Sequence, residues 1–108
     1  MGKHKGLAEK DAELGEVSAA RNTRMVTLIG ADDGAPSFAM RRFVMGPGGR
    51  IPAHSHPDIE HEQVVVTGRM RIELDGESRT VGPGDAIFIP AGTVHGYEIV
   101  GDQEVQFI

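Results

Sequence analysis

Three of the five histidines in this 108-residue chain fall within His54-Ser55-His56-Pro57-Asp58-Ile59-Glu60-His61, and a fourth, His95, follows Pro90-Ala91-Gly92-Thr93-Val94. Neutral imidazoles are good ligands for divalent transition metals, so the pattern points to a scaffold that brings four imidazoles to one ion. In an extended strand His54 and His56 project from the same face, roughly 7 Å apart, which is the bite of a single metal. His61 is an odd number of residues from His56. A straight strand would therefore turn Glu60 toward the pair and His61 away, unless Pro57 and Asp58 open a loop that swings His61 back. Spacing alone leaves Glu60 and His61 in competition. His4 has no companion and reads as a solvated side chain.

Other chemistries lack their parts. The chain has no cysteine, which excludes disulfides, thiolate metal sites and a thiol nucleophile. His61-Glu62 begins a zincin-like pattern, but Val65 stands where its second histidine belongs. Ser55, Thr67 and Ser78 have no evident base, and no serine sits in a nucleophile elbow. Gly46-Pro47-Gly48-Gly49 could cradle phosphate only ahead of a helix; Pro52 and a strand follow, so it reads as a turn.

The elements that must position the histidines are short and β-branched. Met25 to Ile29 predicts a first strand and Ser37 to Met45 a second. In the second, Phe38, Met40, Arg42 and Val44 share one face, and Ala39, Arg41, Phe43 and Met45 the other. Ile51 to His56 is extended. Val64-Val65-Val66 predicts a strand buried on both faces. Met70, Ile72 and Leu74 alternate with Arg71 and Glu73, and Asp75-Gly76 signals a hairpin back through Ser78 to Val81. Further strands are expected over 86–89, 92–100 and 104–108. Eight or nine short strands without a convincing helix argue for an all-β barrel or two-sheet sandwich. Residues 1–24 read as an N-terminal arm, partly ordered or dimer-contacting, and 25–108 as the barrel.

The length bounds the chain to one domain. Sixteen acidic against eleven basic residues give a net charge of −5, which argues against a nucleic-acid partner. No apolar run approaches the roughly 20 residues of a membrane span, and no signal peptide is visible. The expectation is a soluble cytoplasmic protein with a small-molecule ligand. Exposed strand edges suggest a homodimer.

At the histidines the sequence closely resembles the cupin superfamily. Its first motif, G-x5-HxH-x3,4-E-x6-G, is matched by Gly48, His54, His56, position 61 and Gly68. Its second, G-x5-PxG-x2-H-x3-N, is matched by Gly84, Pro90, Gly92 and His95. The resemblance covers roughly residues 25 to 108 and implies a double-stranded β-helix (jelly-roll) barrel with a metal inside its mouth. Two positions depart from the pattern. His61 occupies the glutamate position, fixed by its gap to Gly68, and Ile99 stands where asparagine is usual. The sequence therefore looks like the four-histidine branch of small single-domain cupins, which includes manganese-binding members. The resemblance implies one divalent ion (Mn or Fe favoured over Ni, Cu or Zn) on His54, His56, His61 and His95. Four neutral ligands leave the ion its full charge, suited to enolate-like oxygens or, if redox-active, to O₂. The expected function is a metal-dependent enzyme, foremost an oxygenase or dioxygenase on a small enolic or phenolic substrate. A non-redox isomerase or lyase, or a non-catalytic sugar- or acid-binding barrel, is the alternative. Gln63 and Tyr97 are the candidate catalytic side chains, placed by strand parity beside His61 and His95. Phe43 or Met45 is expected near the mouth.

Overall fold

Nine strands and two short 3-10 turns make up residues 2–108, the part of the chain that the computed structural model describes. The strands are β1 (Gly15–Glu16), β2 (Arg21–Ile29), β3 (Met40–His54), β4 (His61–Thr67), β5 (Met70–Leu74), β6 (Glu77–Val81), β7 (Ala86–Ile89), β8 (His95–Ile99) and β9 (Val105–Phe107). All pairings are antiparallel, in the order β6-β5-β8-β3-β9-β4-β7, with β2 on β3 and β1 on β2. This is the all-β barrel expected from the short β-branched runs, in the jelly-roll form that the resemblance implies.

Strand β3 organises the barrel. Its first half, through Met45, lies between β2 and β9, and its second half, from Arg50, pairs with β8. One strand thus belongs to both walls. The glycine cluster at 46–49 is therefore not a turn ending a strand, as expected, but the bend that lets one strand run on into the second wall. The bend needs glycine, since Gly48 has φ of 75°. β2 likewise begins at Arg21, four residues before the run that predicted it.

The inner faces meet over Met45, Ile51, Val65, Met70, Ile72, Ile87, Ile89, Tyr97, Ile99, Val105 and Phe107. Alternation holds well in β5, where Met70 and Ile72 are buried and Arg71 is exposed. It corrects two expectations elsewhere. Val65 is buried but Val64 is 41% exposed, so β4 faces solvent on one side despite its β-branched run. Met45 is fully buried in the core and so does not line the mouth. Gly68, the closing glycine of the first motif, turns β4 into β5 with φ of 80°. A Cβ there would lie 2.3 Å from the Glu104 carbonyl oxygen, so both conformation and space demand glycine.

The N-terminal arm lies against the outside of the first wall. Lys5 Nζ donates to the Leu28 carbonyl at 2.7 Å and to Asp33 at 2.6 Å. Asp11 pairs with Arg42, which is itself buried and also donates to Gln106. β1 extends the sheet beside β2. These contacts explain why Val26, Leu28 and Val44, which point away from the core, are nevertheless buried.

Candidate metal centre

His54 and His95 occupy facing positions on β3 and β8, with ring centroids 4.3 Å apart. Their approach depends on an irregularity. The register slips between Ile51 and His54, and Gly96 lies under that slip. A Cβ on Gly96 would sit 3.0 Å from both the Ala53 nitrogen and the Ile51 carbonyl oxygen. Gly96 therefore lets the two backbones close on each other, a role the sequence analysis did not assign.

Each of the two rings is oriented by its own strand. His54 Nδ1 lies 2.9 Å from the Pro52 carbonyl, and His95 Nδ1 lies 2.9 Å from the Thr93 carbonyl. A carbonyl can only accept, so each Nδ1 carries the proton and each Nε2 keeps a free lone pair. The approach to His95 is fixed as well: the backbone of Val94 exchanges hydrogen bonds with the Asp75 N–H and carboxylate, at 2.8 and 3.0 Å.

His56 comes from the loop between β3 and β4, where Pro57 and Asp58 form the expected turn. The loop is pinned by a 2.8 Å hydrogen bond from the Gly92 N–H to the His56 carbonyl. Ligand atoms of His54, His56 and His95 all lie within 4.8 Å of one another, a spread that one metal ion can span.

His61, first residue of β4, stands beside this group. Its ring is 5.2 Å from His56 and 5.8 Å from His95. Its register partner is the buried Ile89, so it faces inward, whereas Glu60 belongs to the exposed loop. His61 Nδ1 is buried without a hydrogen-bond partner among the described residues. A buried nitrogen without a partner calls for one, and the three imidazoles of His54, His56 and His95, gathered within reach of one ion, are a donor set that fits a divalent metal; His61 lies outside that group of three. Burial, then the neighbouring imidazoles and the Arg41 charge, hold the His61 pKa below the usual histidine value; burial does the same at His95, opposed by the Thr93 carbonyl. Both rings thus stay neutral and able to ligate into mildly acidic solution.

Tyr97 and Gln63 meet under the histidines. The Tyr97 hydroxyl lies 2.8 Å from Gln63 Nε2 and 3.0 Å from Oε1, so it is held by the amide in either orientation. Its ring meets His95 edge-on at 5.9 Å and stacks on Phe107 at 5.0 Å, which stacks on Phe43 at 4.8 Å. Burial pushes the phenol up to about 12, despite the Gln63 hydrogen bond. At neutral pH Tyr97 is therefore a proton-bearing donor and not a base.

Comparison with known proteins bears on this arrangement. The Cupin domain family matches residues 41–108. The solved structure of the polyketide cyclase RemF from Streptomyces resistomycificus superimposes with a TM-score of 0.85 at 36% identity, covering 97% of this chain and 76% of that one. Polyketide synthase CurC of Streptomyces cyaneus is 37% identical over 75 residues, 69% of this chain. Quercetin 2,3-dioxygenase of Bacillus subtilis is 39% identical over 54 residues, half of this chain. The chain spans 49% of the length of CurC and 16% of that of the dioxygenase. With both motifs on the rim of a jelly-roll barrel and the family match over most of that barrel, this chain belongs to the cupin family.

Proposed function

We propose that the protein is a mononuclear metal-dependent enzyme that closes a ring in a small, enolisable, polyketide-like substrate, with His54, His56, His61 and His95 holding one divalent transition ion. The observation that carries this reading is the likeness to the polyketide cyclase RemF along 97% of the chain, with three imidazoles gathered at one point. It sets the non-redox alternative ahead of the oxygenase. When bound, the ion supplies Lewis acidity, which favours the enolate of a β-dicarbonyl over its neutral form.

The chain's own groups have definable parts. The four uncharged imidazoles would leave a bound divalent ion its full charge, which would then attract an anionic oxygen to the mouth. The Tyr97 hydroxyl, anchored by Gln63, offers a proton-bearing group beside His95. The stacked Tyr97, Phe107 and Phe43 rings form a dry, rigid support that fixes the Tyr97 ring beside His95. In the ring closure an α-carbon gives up a proton and forms a bond to a second carbonyl carbon, whose oxygen takes up a proton. No oxidant is consumed.

A dioxygenase is the second reading, favoured by the identity to quercetin 2,3-dioxygenase. Parallel assays under strict anaerobiosis and in air separate the two. Metal-loaded protein is incubated with a poly-β-keto thioester and, separately, with a flavonol. Ring-closed product without O₂ supports the cyclase. Turnover of flavonol alone, with stoichiometric O₂ uptake, overturns it in favour of the dioxygenase.

A further inference from the structure

We infer that Arg41 takes the carboxylate, or an equivalent planar oxyanion, of a substrate held at the histidine centre, and that it thereby selects acidic substrates. The inference rests on the proposed metal-chelating site and names the class of ligand that site accepts.

The placement follows from the register. Phe43 of β3, Phe107 of β9 and Val65 of β4 lie in one row across the inner face. One alternation step toward the mouth brings Arg41 on β3 and Gln63 on β4 to the same side of the wall, and a further step along β4 brings His61. Arg41 pairs with Thr27 on β2, so it lies inside the rim and not under the N-terminal arm. That arm engages the neighbouring Arg42 on the opposite face.

Arg41 is also uncommitted. The ion pairs among the described residues engage Lys3, Lys5, Arg42, Arg50, Arg71 and Arg79, and none engages Arg41. The side chain is exposed. An unpaired guanidinium on the rim of a site already favouring anions is unfavourable for a cation and complementary to a carboxylate, which it can grip with two parallel N–H bonds. A substrate whose enolic or phenolic oxygens enter the histidine cluster would present a distal carboxylate to Arg41.

Two probes separate this claim from the reading beneath it. Under nitrogen, Co²⁺-loaded protein is titrated by calorimetry with 3,4-dihydroxybenzoate and with 3,4-dihydroxybenzamide, which share a chelating diol and differ in the carboxylate. The expected result is about tenfold or greater preference for the acid, the scale of a charge-assisted hydrogen bond. In Arg41→Gln the preference should fall to near unity, with the Co²⁺ content and the carboxamide affinity unchanged, and Arg41→Lys should keep part of it. Equal binding of both probes to the wild type, or a preference that survives Arg41→Gln, overturns the role of Arg41 alone. Failure of both probes to bind overturns the metal-chelating reading and this inference with it.

Discussion

His54 and His95 hang from facing positions of two paired strands, whereas His56 comes from a loop and His61 from the first residue of a strand that follows it. In the first pair each ring is pinned through Nδ1 to the carbonyl two residues back. In the second pair, neither ring has a hydrogen bond among the described residues, and one His61 nitrogen is buried and unsatisfied. Two of the four rings are thus pre-organised by the sheet, and the other two are left without an orienting partner. Rings pinned by a hydrogen bond arrive with their orientation already fixed, while rings without one must be oriented when the ion binds.

If that division is real, the largest loss should come from the strand pair. His54→Ala and His95→Ala should each weaken Co²⁺ or Zn²⁺ binding by more than about 100-fold, beyond the 10–100-fold that loss of an outer hydrogen-bond partner costs. His56→Ala or His61→Ala should cost less. Metal titration of the four variants tests the order, and equal losses would erase the distinction. Next in size is Gly96→Ala, which forces the β3–β8 backbones apart at the point where His54 and His95 meet. It should destabilise the metal-free protein by about 1–3 kcal/mol in urea denaturation, and weaken metal binding while leaving every ligand in place.

His61→Leu gives a smaller effect of opposite sign. Removing an unsatisfied buried nitrogen should stabilise the metal-free chain by about 1 kcal/mol, while weakening metal binding. A destabilised His61→Leu protein would mean that the ring is satisfied in solution without a metal. The smallest effect is with pH. His61 and His95 have lowered pKa values in the fold, chiefly through burial. Below about pH 6.5, the ordinary histidine value, the unfolded chain takes up protons that the folded chain refuses. Stability of the metal-free protein should therefore decline as pH falls through and below 6.5, and bound metal should raise stability above that pH and make the decline steeper, because ligating rings must stay unprotonated. Thermal melts from pH 8 to 5, with and without Zn²⁺, measure both.

The strands were legible because alternation and turn residues are local signals: Met70, Ile72 and Asp75-Gly76 fall where their pattern places them. His54, His56 and His95 were legible as a group, but not for the reason of strand parity: β3 ends at His54, and His56 reaches the group from the loop that Pro57 and Asp58 turn. What failed was what depends on a partner. Val64 looks as apolar as Val65, and only the absence of a layer over β4 leaves it exposed. The bend in β3 looked like a turn because Gly-Pro-Gly-Gly says that the chain deviates, not whether pairing resumes beyond it. Gly96 carried no signal at all, because it matters through backbone 3.0 Å away, a relation that exists only after the sheet has closed. Alternation put Arg41 on the face of Phe43 but could not say which neighbours that face would meet.

The stacked floor beneath the histidines has an optical consequence. Tyr97 is the only tyrosine and the chain has no tryptophan, so all ultraviolet emission near 300 nm, the usual tyrosine band, comes from one phenol whose ring is 5.9 Å from that of His95. An open-shell ion such as Co²⁺ or Fe²⁺ held there would quench that emission, while closed-shell Zn²⁺ would leave most of it. The molecule carries its own occupancy gauge, readable without label or substrate.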